Sequence, residues 1–258
     1  MKKTLIALVV AASAAVSGSA MAAWTPNGSG GSVDMGGIFS PASQQGPWEV
    51  KVGDAVKGLD AKLEKGQKTV EISLKNAIPL LGIRTQTSEA FKGQQGISPQ
   101  INYGDAVDVD SFNGGTVSLT LDIKDSQGEK LGKAETMMGA AAIASYKGND
   151  GQGVSTVYAS DSGEAFFGGV GKNAPGAHSD PLGFAAEVFA EVAKNYNTQG
   201  VTDGATPAPV DFSEKGSSFS AFYVSGIPVS SKINITLDKE IDGTVQWKAS
   251  LPIIVSYV

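Results

Sequence analysis

The sequence predicts an all-β fold, a β-sandwich carrying one helix-containing insertion, on three observations. Apolar residues recur at every second position in several short runs. Turn-forming clusters separate those runs, and 33 glycines stand beside only 18% charged residues, a composition suited to short strands joined by turns. One amphipathic stretch at helical spacing interrupts the pattern.

Along the chain, Trp48 to Val52, Thr69 to Leu74, Val117 to Ile123 and Phe219 to Val224 are strand candidates. In the third, Val117, Leu119, Leu121 and Ile123 share a face, and Asp125-Ser126-Gln127-Gly128 after it reads as a turn. The longest alternation closes the chain: Val245, Trp247, Ala249, Leu251, Ile253, Val255 and Tyr257 fall on one face of a single predicted strand. Ile233, Ile235 and Leu237 alternate just before it, and the turn signal Asp242-Gly243 lies between, so the two runs are expected to form an antiparallel pair. Many short strands favour a sandwich over alternating β and α units.

The helix is expected to start at Pro181, capped by Asp180, and to stop at Gly200. Phe184, Ala185, Val188, Phe189, Val192, Ala193 and Tyr196 form its apolar stripe. That stripe packs on the sandwich in the favoured reading; a partner-binding helix is the other. Loop-like composition around it makes 139–212 an elaboration inserted into the sandwich.

The first 22 residues read as a cleavable secretory signal peptide. Lys2 and Lys3 give a positive start, Leu5 to Val16 is apolar, and Ala20-Met21-Ala22 has the small-x-small pattern cleaved after Ala22. Cleavage leaves 236 of the 258 residues and moves the net charge from −6 to −8, so a basic nucleic-acid footprint is absent. The chain has no cysteine, so burial and not disulfides must stabilise it in an oxidising compartment.

Chemistry-bearing patterns are lacking. The sole histidine, His178, lies in a flexible-looking stretch and reads as a solvated loop residue, with no Gly-x-Ser-x-Gly turn to serve. One histidine and no cysteine leave too few ligands for zinc. Asp105, Asp108 and Asp110 lack the remaining ligands of a calcium loop and read as a solvated turn. Gly171-Lys172 lacks the first glycine and the Ser or Thr of a phosphate loop. No catalytic residue, metal site or cofactor is assigned, and no enzyme is expected.

After the cleavage site comes a glycine-rich leash, then Ser32 to Phe39, in which Val33, Met35, Gly37 and Phe39 share a face. This segment either folds back as an edge strand of its own domain or pairs with another molecule through main-chain hydrogen bonds. Here the chain resembles the K-88 (F-4) type fimbrial subunits assembled by a periplasmic chaperone and an outer-membrane usher. The likeness rests on the signal peptide, Gly31 to Gly37, Trp48 to Gly53, Leu80 to Arg84, Pro99 to Ile101 and Gln246 through to Tyr257.

The resemblance implies an incomplete immunoglobulin-like β-sandwich, 41–258, completed by a donor strand from outside, with 23–40 as the donor extension. It implies that Val33, Met35, Gly37 and Phe39 form the donor face. Leu251, Ile253, Val255 and Tyr257 would line the acceptor groove and the chaperone contact. Neighbouring fimbrial subunits are the implied partners and the cell-surface fimbria, reached through the periplasm, the implied location. From about Tyr146 to Pro209 the sequence departs from the major, receptor-binding subunits, which favours a minor structural subunit. Two alternatives stay open. One is an adhesin binding host glycans through the insertion, with Tyr146, Tyr158, Phe166 and Phe167 as candidate stacking rings. The other is a periplasmic enzyme or lectin that folds alone.

Overall fold

The computed structural model describes residues 6–8, 46–149 and 151–258. Its strands are β1 (Ile6–Leu8), β2 (Trp48–Val52), β3 (Thr69–Ser73), β4 (Ile78–Thr85), β5 (Phe91–Lys92), β6 (Pro99–Asn102), β7 (Thr116–Lys124), β8 (Lys130–Gly148), β9 (Gly151–Val157), β10 (Thr206–Ala208), β11 (Ser218–Ile227), β12 (Lys232–Leu237), β13 (Lys248–Ala249) and β14 (Ile254–Tyr257). Among the described residues the only α-helix is α1 (Pro181–Val188), and the fold is all-β.

The long strand β8 organises the sheet. Its first half lies between β7 and β12, which extend to β13 and β3 respectively. Its second half lies between β9 and β11, giving the order β10-β9-β8-β11-β4-β2. These pairings are antiparallel except β9 with β10. The predicted turn joins β7 to β8: the Asp125 carboxylate accepts the amides of Gln127 and Glu129, each at 2.9 Å. A smaller sheet has the order β1-β14-β6.

The second half of β8 and most of β11 are buried on both faces. On one face Ala140, Ala142, Ala144, Phe219, Ala221 and Tyr223 enter the main core, where Trp48, Phe91, Phe166 and Phe212 pack ring against ring. On the other, Ala141, Ile143, Phe222 and Val224 meet Phe184, Ala185, Val188, Phe189 and Val192. The apolar stripe of the helical segment therefore packs on the sheet, as expected. Glycines make the approach close: a Cβ at Gly139 would come within 2.3 Å of the Phe184 ring, and one at Gly226 within 3.0 Å of Val188. Inside the main core the Tyr103 hydroxyl bonds those of Tyr223 at 2.8 Å and Ser225 at 2.7 Å, and Tyr223 donates to the Gly169 carbonyl at 3.0 Å. Burial pushes the Tyr103 phenol up to about 12.

Several expectations are corrected. The helix does not run to Gly200: α1 ends at Val188, Phe189 has φ −159°, and a 3₁₀ turn follows over Ala190–Ala193. Asp180 is the N-cap, its side chain accepting the Gly183 amide at 2.9 Å. The C-terminal run is not one strand but two, β13 on β7 and β14 on β6. Pro252, between them, has no amide to donate to a ladder. It does not pair with β12, which lies instead between β3 and β8. β8 runs unbroken through Gly139, the position where the sequence places the start of the insertion.

Candidate functional site

The C-terminal run is where the fold depends on a segment from far away in the chain. β14 pairs with β6 on one edge, Val255 opposite Ile101 and Tyr257 opposite Pro99, and Ser98 and Val258 exchange two backbone hydrogen bonds of 3.1 and 3.2 Å. β6 is held on its far side too: Ile101 donates to the Phe167 carbonyl at 2.8 Å, and Phe166 donates to Pro99 at 2.9 Å. The other edge of β14 carries β1, antiparallel, with Ile6 opposite Tyr257, Ala7 opposite Ser256 and Leu8 opposite Val255.

The side chains of this run converge on the main core. Val255 is 2% exposed; Trp247, Ala249, Leu251, Ile253 and Tyr257 are partly buried against the same core. Burial pushes the Tyr257 phenol up to about 12, so it stays an uncharged hydroxyl at physiological pH. Towards the Trp247 end lies a cleft of about 810 Å³. Val70, Ile123, Leu131, Ile235 and Leu237 supply apolar lining, with Asp60 to Gln67 on one wall and Ile241 to Val245 on another. The Asp60–Gln67 wall forms no strand, although Leu59 and Leu63 are partly buried and alternate with exposed Asp60, Lys62 and Glu64.

The structure brings Leu251, Ile253, Val255 and Tyr257 together along one side of the run, while Val245, the first of the predicted seven, is 37% exposed. The expected donor residues Val33, Met35, Gly37 and Phe39, and the cleavage residues Ala20 and Ala22, lie outside the described residues. Asp105, Asp108 and Asp110 are exposed, and Asp110 pairs with Lys172 at 2.5 Å. Among the candidate stacking rings, Phe166 is fully buried, and Tyr146 and Phe167 pack against the main core. His178 is not a solvated loop residue but half-buried against Phe184. Among the described residues no cluster of three or more potential metal ligands occurs, and no helix is long and apolar enough to cross a membrane.

Comparison with known proteins places this β fold. Residues 1–258 match the family described as "Fimbrial, major and minor subunit", and the chain belongs to that family. It is 30% identical to the "K88 fimbrial protein AD" of Escherichia coli over 288 aligned residues, covering the whole of both chains. It is 27% identical to the "F41 fimbrial protein" of Escherichia coli over 285 residues, again covering both chains fully. Similarity to the "K88 minor fimbrial subunit FaeI" of Escherichia coli is 29% over 145 residues, 54% of this chain and 56% of the relative. The chain is thus a structural subunit of a surface fimbria and not an enzyme.

Proposed function

We propose that this subunit is an incomplete immunoglobulin-like sandwich joined to its neighbours by strand exchange at the edge of β14. The observation that carries the reading is the pairing of β14: among the described residues one edge is held by β6 and the other is occupied by β1. β1 lies within the segment read as a signal peptide. Its removal after Ala22 leaves in the mature subunit an unpaired strand edge beside apolar side chains. An unpaired edge is a template for another chain.

In the periplasm a chaperone strand covers that edge. At the usher it is replaced by the N-terminal extension of the next subunit, with Val33, Met35 and Phe39 facing Leu251, Ile253, Val255 and Tyr257. Gly37 falls where the site is too shallow for a side chain. Ten residues of strand reach about 33 Å, long enough to run the length of such a groove. Burying three apolar side chains contributes roughly 5 to 9 kcal/mol before ordering costs, and the main-chain ladder adds to it. The α1 segment, packed on the face of β8 and β11 away from the main core, takes no part in the exchange.

Within the fibre we read the chain as a minor subunit acting in initiation or elongation, a reading supported by its similarity to the minor subunit FaeI. The full-length similarity to K88 fimbrial protein AD and to F41 fimbrial protein favours the second reading, a more abundant adhesive subunit that binds host glycans. Copy number in sheared fibres, counted by quantitative mass spectrometry, separates the two.

A peptide spanning 31–40, added to protein beginning at Pro41, is expected to raise the melting temperature. At a hundredfold excess over Kd the gain is about 2.7 kcal/mol, or roughly 5 to 10 °C for a domain of this size. A scrambled peptide should give no shift; equal shifts from both peptides, or none from either, would overturn the donor assignment.

A further inference from the structure

The chain's one histidine stands where three segments meet. A Cβ at Gly115, just before β7, would come within 2.5 Å of the His178 side chain. The loop preceding His178 is tied to the same turn, the amides of Gly114 and Gly115 donating to the carbonyls of Pro175 at 2.7 Å and Gly176 at 3.1 Å. The imidazole lies 4.9 Å from the Phe184 ring, the two planes tilted by 34°, and Phe184 in turn covers Gly139 of β8. Its Nδ1 accepts the amide of Asp180 at 3.1 Å. Asp180 is the residue whose carboxylate caps α1.

An Nδ1 that accepts an amide hydrogen carries no proton of its own, which sets the neutral ring with its hydrogen on Nε2. Protonation would place two donors face to face and put a charge in a half-buried site. Asp180 and Glu187 are the charged groups that favour the protonated ring, and burial outweighs them, holding the pKa below its ordinary value. We infer that His178 is an acid-sensitive latch: neutral, it fastens the first turn of α1 to the sheet; protonated at Nδ1, it lets the 173–188 segment loosen. The latched state has its full stability above the ordinary histidine pKa of about 6.5. That stability is lost as pH falls towards the folded value and changes no further below it.

Because the chain has a single histidine, its imidazole signals need no assignment in an NMR titration of the purified protein. The expected result is a midpoint below about 6.5, with Nδ1 unprotonated at neutral pH. Hydrogen-exchange protection over 173–190, corrected for intrinsic rates, should fall by up to about tenfold per pH unit between the two midpoints, while β4 and β11 keep theirs. His178→Asn retains an oxygen for the Asp180 amide and removes the titration, so this pH-dependent loss should vanish. A midpoint at or above 6.5, or the same loss in His178→Asn, would overturn the latch. If the variant fails to fold, the wild-type titration and exchange together decide the matter: a low midpoint with unchanged protection over 173–190 would also overturn the latch.

Discussion

A subunit lacking residues 24–39 is expected to accept a donor strand but to give none, and so to enter a fibre in at most one copy. In the proposed exchange donor and acceptor are different surfaces, so each contact would be head-to-tail and the assembly would grow as an open filament. A subunit able only to accept can stand at one end, where nothing requires it to fill a neighbour's groove. The deletion removes none of β2 to β14 and none of the core residues named above. The soluble amount measured by immunoblot should therefore stay near that of wild type. Immunogold counting along fibres should lose all internal labelling. Internal label at wild-type density would show that another segment joins the subunits and would remove the role given to Val33, Met35, Gly37 and Phe39.

Strands with one wet face were legible in the sequence, and strands without one were not. β2, β3, β7 and β12 alternate in the sequence and in burial, as in the Glu-Val-Lys of Glu49 to Lys51 or the Ile233, Ile235, Leu237 series. The second half of β8 reads Gly139-Ala140-Ala141-Ala142-Ile143-Ala144, with no polar partner at any second position. The reason is that α1 and the turn after it cover the face that water would otherwise wet. A strand buried on both sides carries no period of two, and an alanine run gives no β preference to replace it. The same double burial hid the extent of β11.

The candidate site was legible by face and not by ladder. Alternation placed Trp247 to Tyr257 correctly on one side, because burial against a common core survives a change of hydrogen-bonding partner. It could not show that the run leaves β7 for β6 at Pro252, since side-chain spacing carries no record of which edge a backbone amide faces. His178 gave no signal at all. Its burial depends on the turn at Gly114 and Gly115, far away in the chain, meeting the loop that carries it, and no local pattern encodes that.

Replacing Trp48 with Ala is expected to be the most destabilising of the changes considered, by about 3 to 5 kcal/mol. The indole is 7% exposed and lies 5.0, 5.2 and 5.7 Å, centroid to centroid, from Phe91, Phe212 and Phe166. Phe166 and Phe212 are fully buried, so the space vacated has rigid aromatic walls that collapse poorly. The indole Nε1 also donates to the Ile97 carbonyl at 2.6 Å, and Trp48→Phe separates the two contributions. Phe keeps most of the packing but leaves that carbonyl without its partner, at a cost of about 1 to 3 kcal/mol. Chemical denaturation of all three proteins should therefore rank them wild type, Trp48→Phe, Trp48→Ala; equal losses in the two variants would mean that the hydrogen bond outweighs the ring cluster. That result would bear on assembly as well. Ile97 precedes Ser98, whose backbone bonds Val258, and Pro99, which opens β6 beside β14. If the Nε1 bond carries most of the energy, Trp48 stabilises the fold chiefly by fixing the strand that supports the acceptor edge, and Trp48→Phe should weaken uptake of the 31–40 peptide along with stability. If the ring cluster carries it, uptake by folded Trp48→Phe should stay near wild type.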